Sequence, residues 1–182
     1  MRTALWLACL SASALTACGG GAAQATFTLG GKSYAANSII FGSYQNDEIV
    51  DLVVSDSPDL CALLTAQGNP PAHVNLAVVE FKNFISSSAE GPIIAGTYAS
   101  SVVFGTAGLA AGGASGTTDA TCQVPSPTVL DGTVVVAQVK GSSEPLTGSF
   151  SLVSADKASS LSGAFTAAYC PKITGSKNSS CN

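Results

Sequence analysis

Apolar and polar residues alternate with a period of two along much of this chain, which puts one face of each segment toward a core and the other toward water. The pattern is clearest near the C-terminus. Phe150 and Leu152 share a face in Gly148 to Leu152, and Leu161, Phe165 and Tyr169 share one in Leu161 to Tyr169. The turn formers of Ser154 to Ser160 lie between them, so the pair reads as a hairpin. Upstream, Thr133 to Lys140 is β-branched and bounded by glycines, and Val74 to Lys82 places Ala77, Val79 and Phe81 inward with Glu80 and Lys82 outward. Ser38 to Tyr44 and Glu48 to Val54 are two further strands, Gly96 to Phe104 is another, and Thr26 to Leu29 starts the sheet.

One stretch breaks the period. Ser57-Pro58-Asp59-Leu60 opens with an N-cap residue and a proline at the first helical position, Gly68 closes it, and Leu60, Leu63 and Leu64 recur at helical spacing. A single short helix is predicted over about residues 58–67. Residues 105–121 shift to Gly, Ala, Ser and Thr. So little apolar area offsets the entropy of ordering them poorly, and a glycine-rich loop is expected there. The fold class that follows is mainly β: a single antiparallel β-sandwich or barrel-like domain with one short helix.

The first residues follow a different logic. A charged start, Met1-Arg2-Thr3, precedes a short apolar run and the small residues before Cys18, which is a signal-peptide pattern. The run is shorter than the ~20 apolar residues that a spanning helix needs. Leu15-Thr16-Ala17-Cys18 resembles the lipobox of bacterial lipoproteins. That resemblance implies cleavage after Ala17, diacylglycerol on the Cys18 sulfur, frequent acylation of the freed amine, and attachment to the cell envelope. Gly19 stands where, in Gram-negative members, aspartate favours the inner membrane, so the outer membrane is implied for a Gram-negative source. Gly19-Gly20-Gly21-Ala22-Ala23 suits a flexible tether. The expected organisation is a signal peptide over 1–17, a lipid-anchored tether over 18–25, and one β-rich domain over 26–182.

Loss of residues 1–17 removes the chain's single Arg, Trp and Met and leaves six lysines against eleven acids. Clustered basic residues are what nucleic acid requires, so nucleic-acid partners are not expected. Of six cysteines, Cys9 and Cys18 belong to the leader and lipobox, leaving Cys61, Cys122, Cys170 and Cys181. An even number in an exported domain suggests two disulfides, whereas these wide spacings lack the close pair of a structural zinc site. Cys61 on the helix and Cys170 at the end of the last strand are the favoured pair, with Cys122 to Cys181. The alternative joins Cys61 to Cys122 and Cys170 to Cys181.

A few short motifs imitate chemical sites. Gly31-Lys32-Ser33 imitates the end of a phosphate-binding loop but lacks the earlier glycine, with Thr26 in its place, and lacks the following helix, so its composition reads as a turn. Ser154-x-x-Lys157 falls on a hairpin tip, and Gly113 to Thr117 misses the final glycine of a nucleophile elbow. His73 follows Pro70-Pro71-Ala72 in a loop with no serine or cysteine placed beside it. Asp47, Glu48, Asp51, Asp56 and Asp59 cluster as a weak calcium site would. Each also has a separate role: a turn for the first two, an outward strand face for Asp51, and the helix N-terminus for Asp56 and Asp59. The expectation is a non-enzymatic, membrane-anchored lipoprotein of structural or interaction type, without cofactor or metal. A small apolar-ligand binder is the alternative, recognisable by an internal cavity.

Overall fold

A computed structural model describes residues 25–44, 48–102, 106–139 and 144–173. Cys18 and Cys181, together with the leader and tether, lie outside the described residues. The described chain forms eleven strands and one helix. In order these are β1 (Thr26–Leu29), β2 (Lys32–Ala35), β3 (Ser38–Tyr44), β4 (Ile49–Ser55), α1 (Leu60–Gln67), β5 (Asn75–Ser86), β6 (Ala89–Gly91), β7 (Gly96–Ala99), β8 (Gly108–Thr117), β9 (Thr128–Gln138), β10 (Leu146–Val153) and β11 (Ser160–Tyr169).

Eight of the strands close on themselves. The circuit runs β3–β4–β5–β8–β7–β9–β10–β11 and returns to β3. This decides between the two expected architectures in favour of a barrel. Pairing is antiparallel except at two places, β7 on β8 (Ala99 opposite Ala110) and β11 on β3 (Tyr169 opposite Phe41). Both mark a strand that is shared. β8 pairs with β9 from Gly113 to Ser115, and β7 fills the gap beyond by pairing with β9 from Gly96 to Ala99. Similarly β11 carries β1 on its first half and reaches β3 only at its end.

The alternation in the sequence is what fills the barrel. Leu52, Val54, Ala77, Val79 and Phe81 point inward and are fully buried, and one continuous cluster joins them to Leu130, Val134, Val136, Phe150, Leu161 and Phe165. Aromatic rings meet inside it: Phe150 stacks on Phe165 at 4.4 Å, and Phe81 meets Tyr98 edge-on at 5.3 Å. The buried Tyr98 hydroxyl donates to the Ile94 carbonyl and accepts the Ile94 N–H, so its polar end is satisfied. An eight-stranded barrel has an interior just wide enough for side chains to fill or for one small ligand. Here side chains occupy it.

Glycine is required where strands pack most closely, at Gly132 and Gly148, where a Cβ would collide with the Ser151 and Val135 carbonyls, and the space is tight at Gly113 too. A Cβ on Gly113, which faces inward, would press on Leu130 and Leu152. Its neighbour Ser115 also faces inward, opposite Ala77, and among the described residues its buried hydroxyl meets no hydrogen-bond partner. Desolvating a hydroxyl without a partner costs on the order of 1–3 kcal/mol, so Ser115→Ala is expected to raise the unfolding free energy by about 1 kcal/mol in urea titration. A loss instead would show that the hydroxyl is satisfied.

Outside the barrel, α1 covers part of β3 and β4. Ile40 and Val53 are cross-strand partners on the outer face, and with Leu60, Leu64, Cys170 and Ile173 they form a second, smaller apolar cluster. The helix starts later than predicted. Asp59 is its N-cap residue, in a left-handed conformation (φ 53°) and with no side-chain capping bond, so Ser57 and Pro58 precede the helix instead of opening it. The reason is tertiary: the Ser38 hydroxyl accepts the Leu60 N–H at 3.1 Å and takes the place of a local cap. Gly68, left-handed at φ 78°, closes the helix as expected and donates its N–H to the Leu64 carbonyl at 2.8 Å.

Three further expectations are corrected. The glycine-rich loop over 105–121 is largely the ten-residue strand β8, because β5 pairs with it over its full length and β9 borders its other edge. The strand expected to run from Gly96 to Phe104 ends at Ala99. β2 occupies the stretch around Lys32-Ser33 that composition marks as a turn, with Tyr34 stacked on Phe27 at 5.6 Å.

Candidate functional site: a groove on the outer face of the barrel

The unusual composition of β8 shapes the outside of the barrel as well as the inside. Its outward residues, Ala110, Gly112 and Ala114, are small, while the strands on either side carry Val78, Glu80 and Lys82 on β5 and Val129 and Asp131 on β9. A low floor between taller walls is a trough. It encloses about 360 Å³ and is extended by Ser100 and Val102 beyond the end of β7. Val129, exposed at 63%, forms part of its rim.

The charges in the groove are mostly mutually engaged. Lys82 Nζ lies 2.9 Å from Glu80 Oε1, two residues away on the same face of β5. Such a surface pair contributes little to stability, and its main effect here is to hold both side chains along one wall. The Ser100 hydroxyl accepts the Gly132 N–H at 2.9 Å, which fixes the β9 side of the trough. Among the described residues that line it there is no histidine and no cysteine. Its surface combines a floor of small residues, exposed main chain at Gly112, and walls that mix Val78 and Val129 with the charged Glu80, Lys82 and Asp131.

Asp51 faces outward as expected, yet it is covered. On β4 it is only 9% exposed, opposite Glu80 on one side and Gly42 on the other. Burial foremost, and then the neighbouring Glu80, push its carboxyl up to about 6, against a smaller opposing pull from Lys82. Asp56 does not serve the helix. Its two oxygens bind the Asn75 N–H at 3.0 Å and the Asn75 side-chain amide at 2.6 Å, which ties the end of β4 to the start of β5. Among the described residues no group of three or more His, Cys, Asp or Glu is arranged to hold a metal ion. Asp47 lies outside them.

The remaining motifs have structural partners. Ser154 is buried at the β10–β11 tip, where its hydroxyl donates to Asp156 and accepts the Ser159 N–H, and Lys157 supplies a left-handed turn residue at φ 59°. His73 is exposed and also left-handed, and its N–H donates to the Thr118 carbonyl at 2.9 Å. Asp119, nearby, accepts the Thr121 hydroxyl and the N–H groups of Thr121 and Gln123. These bonds hold its carboxyl below the usual range, the Thr121 hydroxyl first, with a minor contribution from His73. The Thr118 hydroxyl donates to the Pro71 carbonyl and accepts the Val74 N–H. These hydroxyls and carboxylates hold turns.

Cys61 and Cys170 are joined, with Cα atoms 5.7 Å apart and 109 positions between them in sequence. Cys122, left-handed at φ 61°, is also disulfide-bonded, and its partner lies outside the described residues. The groove itself had no signal in single-strand patterns. It exists because small residues on β8 face large ones on β5 and β9, and those neighbours are distant in sequence. Comparison with known proteins finds no family model, no curated protein and no solved structure that matches this chain.

Proposed function

We propose that the chain is a lipid-anchored cell-envelope protein of structural or interaction type, in which a non-catalytic barrel is held at a membrane surface and makes its contacts from the outside. The observation that carries this reading is Leu15-Thr16-Ala17-Cys18 immediately ahead of Gly19-Gly20-Gly21. One acyl chain gives only marginal membrane attachment, while two or three, at about 0.8 kcal/mol per buried methylene, anchor stably. The second staple in this reading joins Cys122 to Cys181. The packed interior weighs against an apolar ligand held inside the barrel, and leaves the β8 groove as the concave surface suited to contact.

Cys18→Ser is the test of the anchor. The unaltered protein is expected in the membrane fraction with an intact mass showing lipid on a chain that begins at Cys18. The variant is expected to be unprocessed or released without lipid. A Cys18→Ser chain that is still processed and retained in the membrane overturns the reading.

A further inference from the structure

Asp51 lies between Gly42 on β3 and Glu80 on β5, directly opposite each. Side chains directly opposite on neighbouring antiparallel strands have Cβ atoms about 4.5–5.5 Å apart, so two carboxylates in that relation repel when both are ionised. The Gly42 side is covered in another way. A Cβ there would collide with the main chain and Cβ of Ile173, which shows that the turn after Cys170 lies over the position beside Asp51. That turn is tied down by the Cys61–Cys170 bridge, and by the Cys170 N–H donating to the Phe41 carbonyl at 2.7 Å.

We propose that Asp51 and Glu80 form a proton-accepting pair beside the disulfide-held C-terminal turn, which makes the β4–β5 seam of the barrel tighter in mild acid than at neutral pH. The charged groups facing Asp51 are few. β5 supplies Glu80 and Lys82, and Lys82 is engaged with Glu80 at 2.9 Å. β3 supplies Gly42, without charge, and the covering turn supplies Lys172, which is exposed. Burial and Glu80 therefore dominate.

The direction follows from proton counting. Unfolded Asp51 titrates near 3.9 and folded Asp51 near 6, so between those values the folded chain holds a proton that the unfolded chain has released. Stability from this group is full below the lower value, falls as pH rises through the window, and stays at its minimum above about 6. From pH 5.0 to pH 7.5 the folded-to-unfolded ratio is expected to drop about tenfold from this site alone.

The test is urea unfolding of the intact chain, disulfides formed, at both pH values, together with a carboxyl-carbon NMR titration of Asp51. The unaltered chain is expected to show the tenfold drop, and Asp51→Asn to remove most of it. His73→Gln, a control for the chain's single histidine, is expected to keep it. Glu80→Gln is expected to move the Asp51 midpoint downward. An Asp51→Asn chain with the same pH dependence as the original, or an Asp51 carboxyl titrating in the ordinary range, overturns the proposal. If the Asn variant does not fold, the titration of the unaltered chain decides alone.

Discussion

Replacing Cys61 and Cys170 together by alanine is expected to lower the unfolding free energy by about 4–5 kcal/mol. The bridge spans 109 positions, and a crosslink of that span removes a large loop-closure entropy from the unfolded chain. It also holds elements that are weak alone. An isolated helix shorter than ~12 residues is marginal in water, and α1 has eight. Without the bridge, α1 keeps the burial of Leu60, the packing of the partly buried Leu64 and the Leu60 N–H bond to Ser38. Urea titration of the double variant checks the size of the loss, and amide exchange checks its location, which is expected at α1 and at Cys170 to Ile173 before the barrel strands. A loss below about 1 kcal/mol would mean that the unfolded chain is already compact enough for the crosslink to constrain little.

Phe150→Ala is expected to cost about 3–5 kcal/mol, the range for deleting a buried aromatic ring and leaving a cavity. Phe150 is 4% exposed and stacks on Phe165 in the middle of the filled interior. Hydrogen-bonded strands surround that site and collapse into it only with difficulty. Val153, three positions along β10 and 43% exposed, is the control. Val153→Ala is expected to change stability by no more than about 0.5 kcal/mol. Similar losses for the two variants would contradict a barrel whose stability resides in its interior.

Much of the fold was legible in the sequence because inward and outward residues alternate under a purely local rule. The β10–β11 hairpin, β1, the inward set Ala77, Val79 and Phe81, and the C-terminal stop of α1 at Gly68 follow from neighbours in the chain. The β8 strand did not follow, since Gly-Leu-Ala-Ala-Gly-Gly-Ala-Ser-Gly-Thr lacks the large side chains that mark a strand by itself. Its order comes from backbone pairing with β5 and β9, which local composition does not encode. The outer groove was hidden for the same reason.

The sequence by itself determined the β class, part of the core, including Ala77, Val79, Phe81, Phe150, Leu152, Leu161 and Phe165, a short helix ending at Gly68, and the cysteines available for stapling. Only the tertiary structure decided that the sheet closes into a barrel, that Asp51 is buried opposite Glu80 instead of exposed, and that Ser38 caps α1 from another strand. Alternation specifies which face of each strand is buried, but pairing register and closure depend on contacts between residues far apart in sequence. Burial of an outward-facing carboxylate depends on what the rest of the chain lays over it.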